Sequence, residues 1–360
     1  METLYLSESQ QERIDRTLPI HGDDSDTEKA DARYLTSFIR GMAVSQMIGV
    51  ICEAGLPNAL PEEDSHPIPS LASKLGVNSQ ALLRICRALS AFGFFKVDAM
   101  GRIAHNSRSR MLRHGHHPSQ HWAARFWTSP SIWQAWGDLR HSLQSGSEAF
   151  KHANQRQFFD YMHDHEVEAE TYRQYMAGGY PGRHQAIASM LQPPKAATII
   201  DVGGGTGALI RVLLERNPGI SGVVYDQPEV VRSLGASPMN GRMATQTGNF
   251  FESVPSGGDI YILSWVLHDW PNAKALEILR ACKQAMTPTS RLIIIERLMN
   301  VNPAQCAPFD LLLDINMLVL HEGQERTQAE FDALLLASGL TPLKLLGTQP
   351  NFSVFETTLA

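Results

Sequence analysis

TIIDVGGGTGALIRVLLE, residues 198–215, decides the fold. Thr198, Ile199 and Ile200 are β-branched, and Pro193 and Pro194 bound them upstream. A short apolar run of this kind reads as a buried parallel strand. Gly203, Gly204, Gly205 and Gly207 follow at once, and then Leu209, Ile210, Leu213 and Leu214 recur at helical spacing. Only glycine lets a backbone turn this sharply and leaves a ligand room to touch it. Free amides at the start of the following helix favour an electron-rich ligand group.

Two cofactors compete for such a turn, beside the plainer possibility that its glycines serve backbone geometry alone. Gly203, Gly205 and Ala208 satisfy the dinucleotide fingerprint G-x-G-x-x-G/A, with Asp226 as a ribose anchor 25 residues beyond Asp201. Asp201 at the strand end together with Gly207 instead resembles motif I of class I S-adenosylmethionine-dependent methyltransferases. Chemistry further along the chain has to decide.

From Ala196 onward strands and helices alternate. Ile220–Tyr225, Ala244–Thr247, Asp259–Leu267 and Arg291–Ile295 read as strands, with helices over Ala208–Glu215, Ala273–Met286 and Gln328–Leu336. A hairpin-like pair, Leu340–Leu346 and Asn351–Glu356, closes the chain. This is the βαβ pattern of an α/β, doubly wound parallel sheet with one late antiparallel strand. Ligands in such sheets bind beyond the strand C-termini, where Asp201, Asp226, Asn249, His268 and Glu296 all fall.

The N-terminal half differs. At 360 residues and 43% apolar content the chain predicts two domains with ample cores. Residues 1–30 are polar and read as a mobile arm. Ala32–Leu56 is apolar at helical spacing, with Arg40 and Glu53 arguing against a membrane span. In Ile68–Phe95, Ser70 precedes a helix, Gly76 ends it, and Asn78 or Ser79 caps the next, whose Leu82, Leu83, Cys86 and Leu89 share a face. Phe94–Val97 and Arg102–Ala104 complete a winged helix-turn-helix outline. Arg84 and Arg87 could face phosphates, but a net charge of −6 opposes a nucleic-acid partner, so the module reads as one for packing or dimerisation.

His114, His116, His117 and His121 cluster with Trp122, Trp127, Trp133 and Trp136, yet lack the spacing and neighbouring ligands of a metal site. Phe158, Phe159, Met162, Tyr172 and Met176 form an apolar stripe, core by default, that could also wall a substrate pocket. The four cysteines show no paired spacing, and Met1–Lys29 has no apolar signal core. Both features predict a soluble, cytoplasmic protein with buried thiols.

ILSWVLHDWP, residues 262–271, places His268 at the end of a buried strand over the cleft, with Glu296 and Glu325 available to orient it. Taken together, DVGGGTG at 201–207, Asp226 before Gln-Pro, GNFF at 248–251, LHDW at 267–270, Glu296 and GQERT at 323–327 resemble the small-molecule O-methyltransferase family of plant caffeic acid-type enzymes and their bacterial polyketide and phenazine relatives. The resemblance spans nearly the whole chain. It implies an N-terminal winged-helix dimerisation and substrate-capping domain over 31–180, a Rossmann-like catalytic domain over 181–360, a homodimer, and no metal.

Carried over, the resemblance assigns Asp201, Gly203 and Gly205 to the methionine portion of S-adenosylmethionine, and Asp226 to its ribose. Phe250 packs on adenine in that scheme, and Asn249, where relatives commonly have Asp, takes the adenine edge. Ser264 stands where plant members often carry Lys, which leaves contacts to the cofactor tail open. His268 is the implied base, flanked by Glu296 and Glu325. Trp133, Met176, Trp265, Asn316 and Met317 are implied near a small aromatic hydroxylated acceptor. A phenol is protonated at neutral pH, and an imidazole steadied by carboxylates can take its proton as the C–O bond forms. The acceptor itself is not legible, beyond a bulky aromatic of secondary metabolism. The alternatives are a non-methylating relative that uses the same cofactor for a rearrangement, decarboxylation or cyclisation, a nicotinamide oxidoreductase, and a DNA-binding regulator.

Overall fold

The computed structural model describes residues 27–178, 182–234 and 241–360. Two units emerge. The first takes the chain up to Trp133 together with His165–Pro181, and the second takes Gln134–Asp164 together with Gly182–Ala360. A boundary at 180 alone therefore misses the excursion of residues 134–164 into the second unit.

In the first unit, α1 (Thr27–Glu53) is followed by β1 (His66–Pro67), α2 (Ile68–Leu75), α3 (Ser79–Ala91), β2 (Lys96–Val97) and β3 (Arg102–Ala104). Thr27–Ala30, expected within the arm, are helical; the rest of the expected arm, residues 1–26, lies outside the described residues. Ser70 sits inside α2, which starts at Ile68 because Pro69 suits a first turn whose amides need no partner. Gly76 ends α2 at φ 68°, and Asn78 caps α3 by accepting the Ala81 amide at 2.9 Å. Leu82, Cys86 and Leu89 bury against Ile68, Leu71, Phe95 and Ile103. The wing has one strand more than its sequence showed, in the order β1-β3-β2. Its third member is the dipeptide His66–Pro67, too short to carry a periodicity.

One end of α1 packs, with Ile51 and Cys52 buried. The other end leaves Leu35, Phe38, Ile39 and Met42 between 59% and 73% exposed. By length and composition Glu28–Glu53 is also long and apolar enough to cross a membrane.

The second unit contains α4 (Phe158–Asp164), α5 (Arg183–Met190), β4 (Thr198–Val202), α6 (Ala208–Arg216), β5 (Ser221–Asp226), β6 (Met243–Thr247), β7 (Ile260–Ser264), α7 (Asn272–Ala285), β8 (Arg291–Glu296), α8 (Pro308–His321), α9 (Gln328–Ser338), β9 (Lys344–Gln349) and β10 (Phe352–Thr357). The sheet order is β6-β5-β4-β7-β8-β10-β9. Among the described strands only β10 runs against the rest, as it pairs antiparallel with both β8 and β9. Alternate residues feed the two faces, as the strand period of two requires. Ile200, Val202, Leu292 and Ile294 join Ile278 and Leu279 of α7 on one side. Ile199, Ile293 and Ile295 join Leu209, Ile210, Leu213 and Leu214 of α6 on the other. The chain reverses its winding between β4 and β7, so the crevice opens at the C-terminal ends of those two strands.

Candidate active site

The glycine turn leaves β4 with Gly203 at φ 73°, Gly205 at 55° and Gly207 at 67°, conformations that side chains resist. A Cβ on Gly203 would lie 2.9 Å from Val266 and 3.6 Å from the Phe250 ring, whereas one on Gly205 would meet open space. Asp226 at the end of β5 accepts the Gly205 amide at 2.8 Å and the Gln227 amide at 2.7 Å, which fixes the turn. Asp201 is buried, and its Oδ1 has no hydrogen-bond partner. Burial and then the Asp226 charge push the Asp201 pKa up to about 7. A buried unpartnered carboxylate oxygen, a rigid turn and free volume over Gly205 fit a ligand that brings hydrogen-bond donors of its own.

Beyond Ser264 the chain departs from expectation. The fourth strand stops there instead of running to Leu267, because Trp265 adopts φ 53° and breaks the pleat. His268 thus stands in a short 3₁₀ turn, Leu267–Asp269, and not on a strand. Pro271 lies just outside α7, as its N-cap.

Glu296, at the end of β8 and fully buried, holds that turn. Its Oε1 accepts the Leu267 amide at 2.9 Å and the His268 amide at 3.3 Å. Arg326, also fully buried, holds it from the other side, donating to the carbonyls of Leu267 (2.7 Å) and Trp270 (2.6 Å) and to Asn272 Oδ1 (3.0 Å). The loop after α8 closes on the same backbone: the Gln324 amide donates to the His268 carbonyl at 2.9 Å.

The His268 ring is therefore fixed among carboxylates. Nδ1 lies 3.0 Å from Glu325 Oε1 and 3.7 Å from Glu296 Oε2, and Nε2 lies 3.4 Å from Asp269 Oδ1. Burial alone would lower the imidazole pKa. The charges of Glu296, Asp269 and Glu325 outweigh it and raise the value to about 10. Burial likewise pushes Glu296 up to about 7, partly opposed by His268.

Among the described residues His268, Glu296 and Glu325 form the one group of donor atoms, all within 4.8 Å, able to hold a cation. The histidine-rich segment forms no such group among the described residues: His121 Nδ1 faces the Leu112 carbonyl at 3.1 Å, and its ring packs edge-on against His114 and Trp122.

The other expected residues scatter more. Asn249 is exposed and binds its own turn, with Oδ1 accepting from the Phe251 amide and Nδ2 donating to Glu252. Phe250 packs edge-on with Phe251 at 4.8 Å. Asn316 and Met317 are buried on α8, and Asn316 Oδ1 accepts from Trp136 Nε1 at 3.2 Å. The Trp265 ring packs on Phe352 at 5.4 Å with the Arg183 guanidinium 5.1 Å from its centroid, on the opposite face of the sheet from Leu267. Trp133 and Met176 belong to the first unit, half-buried on helices Pro130–Gly137 and Glu166–Gly178. Of the thiols, Cys52, Cys86 and Cys282 are buried and Cys306 is partly exposed.

Three site residues had no sequence role: Asp269, Arg326 and His321. The first two lie inside motifs already singled out, LHDW and GQERT, where a charge next to the key residue was the available signal. His321 had none, since only tertiary packing brings α8 to the turn; its Nε2 lies 3.8 Å from Asp269 Oδ1.

The O-methyltransferase domain family matches residues 136–341, and the O-methyltransferase dimerisation domain matches residues 36–114. A phenazine O-methyltransferase of Lysobacter antibioticus is 32% identical over 89% of this chain and 94% of its own length. A mitomycin biosynthesis 6-O-methyltransferase of Streptomyces lavendulae is 33% identical over 85% and 88%. The solved structure of a mitomycin 7-O-methyltransferase superposes with a TM-score of 0.86 at 31% identity, covering 93% of this chain and 99% of that one.

Proposed function

We propose, for a chain that belongs to the O-methyltransferase family, that it transfers the methyl group of S-adenosylmethionine to a hydroxyl of an aromatic secondary metabolite, with His268 as general base. The observation that carries this reading is the His268 ring fixed between Glu325 and Asp269 beside the glycine-turn crevice. A related methyltransferase of 25% identity, with a TM-score of 0.72, was solved with S-adenosylmethionine and 2-hydroxy-5-methyl naphthoic acid, which supports both cofactor and acceptor class.

The cofactor fits what this chain offers. Asp201 would take the donors of the methionine portion beside Gly203 and Gly205, Asp226 the ribose hydroxyls, and Phe250 with Asn249 the adenine; Ser264 borders the same crevice. When bound, S-adenosylmethionine supplies an electrophilic methyl and a sulfonium charge beside the histidine cluster. A second positive charge close by in a low-dielectric site disfavours imidazolium, so His268 is readied as a base only in the loaded protein. Nε2 then takes the phenolic proton while Glu325 and Glu296 stabilise the charge through Nδ1, the role a carboxylate plays behind the histidine of a serine protease. Holding oxygen and methyl in line contributes the rest of the rate. Trp133, Met176, Trp265, Asn316 and Met317 stay proposed acceptor contacts.

The exposed apolar face of α1 is proposed to be covered by a second copy, in keeping with the dimerisation-domain match, making a homodimer without membrane or nucleic-acid partners in the cytoplasm. Residues 31–180 and 181–360 remain the proposed dimerisation and catalytic regions, with 134–164 shared as described.

One relative, an 8-amino-8-demethylriboflavin N,N-dimethyltransferase, is 27% identical over 91% of this chain, so nitrogen acceptors belong in the test. Incubation with labelled methyl donor and paired hydroxy- and amino-aromatics should place label on oxygen. Label on nitrogen alone overturns the O-methylation reading, and conversion of an acceptor without label would favour a non-methylating relative.

A further inference from the structure

Nδ1 of His268 is committed to Glu325 at 3.0 Å, with Glu296 Oε2 3.7 Å away, so Nε2 is the nitrogen left for an acceptor hydroxyl. Yet Asp269 Oδ1 already lies 3.4 Å from it. A carboxylate this close favours keeping a proton on that nitrogen and takes up the side from which an acceptor hydroxyl would approach. The same Oδ1 lies 3.8 Å from Nε2 of a second imidazole, His321. We propose that His321 is a positioning residue: it draws the Asp269 carboxylate away from His268 and so uncovers the base for the acceptor.

The placement of His321 suits the role. It is the last residue of α8, and Glu322, at φ 57°, ends the helix directly after it. Its ring is stacked on Phe159 (centroids 5.2 Å apart, 23°) and set edge-on to Phe158 (4.6 Å, 72°), both from α4. These aromatics leave the ring little rotational freedom. Charged groups reach the pair from three elements. From the 3₁₀ turn come Asp269 and His268; from β8 Glu296; from the 323–327 loop Glu325 and Arg326. Phe158 and Phe159 are the α4 side chains packed on the His321 ring. Burial holds the His321 pKa below its ordinary value, so the ring is neutral and can present one N–H donor to a carboxylate without adding a charge. No proton is lost or gained in the exchange: Asp269 changes partner.

The inference rests on His268 acting as base. It is tested with His321→Phe, which keeps the aromatic volume, and His321→Gln, which keeps a donor. The readout is the pH profile of kcat/KM for the acceptor, with cofactor affinity measured calorimetrically and thermal midpoints as controls. Without a second partner, Asp269 stays on His268 and stabilises the imidazolium. The acid limb of the profile should then rise by about one pH unit in His321→Phe, roughly a tenfold loss on that limb, with cofactor affinity unchanged. His321→Gln should restore the wild-type limb. Identical limbs in the Phe variant and wild type, or equal behaviour of Phe and Gln, overturn the proposal. Should His321→Phe fail to fold, Asp269→Asn decides: its acid limb should move to lower pH, and an unmoved limb counts against the proposal. Full activity in His268→Gln would instead remove the base reading itself, a separate outcome.

Discussion

Replacing Arg326 with Met keeps an unbranched side chain of similar reach and removes every donor. The carbonyls of Leu267 and Trp270 lose partners at 2.7 and 2.6 Å. Asn272, which is exposed, can turn to water. The Leu267 carbonyl keeps the Trp270 amide at 3.4 Å, so one acceptor, the Trp270 carbonyl, is left without a donor, which predicts a loss of roughly 1–3 kcal/mol. A domain holds only about 5–15 kcal/mol in total. Arg326 also moderates the charge on Glu296, so its loss raises the Glu296 pKa further. In Arg326→Lys the ammonium can reach one carbonyl but cannot span both, so that variant should fall between the two. The assay is urea unfolding followed by tryptophan fluorescence, beside methyl transfer measured on the folded fraction. A loss under about 1 kcal/mol in Arg326→Met, with transfer intact, would refute the claim that this guanidinium builds the histidine turn.

Three further outcomes are expected. Gly323→Ala puts a Cβ 2.0 Å from the His268 carbonyl, a clash with backbone that cannot yield cheaply; cofactor affinity should survive while turnover collapses, and wild-type turnover would contradict the geometry. Asp201 has a folded pKa of about 7, above its unfolded value, so its contribution to stability is present at low pH and lost as pH rises through about 7. Asp201→Asn should accordingly lose less stability than wild type between about pH 4 and about pH 7 in urea titrations; equal slopes would contradict this. Phe38→Asp with Ile39→Glu should convert a dimer to monomers by light scattering, and an unchanged mass would point to another interface.

The sheet was legible because its strands are short, β-branched and punctuated by glycine and acidic residues, as in 198–215. The single antiparallel strand was expected and is found as β10. The break at Trp265 was not legible: its positive φ is imposed by surroundings and has no glycine or asparagine to announce it. His268, Glu296 and Glu325 were found because each stands beside a strand end or in a recognisable motif. Asp269 and His321 were missed because their meeting depends on how α8 ends against a turn far earlier in the chain, a matter of packing and not of pattern. For the same reason residues 134–164 could not be assigned to the second unit from their helical spacing alone.

The central claim is that His268 removes the acceptor proton. It is tested most directly by single-turnover methyl transfer in His268→Gln, with cofactor affinity measured on the same sample. The account predicts a rate lower by about 10²–10⁴-fold with no loss of cofactor affinity. A variant that methylates at the wild-type rate would contradict it.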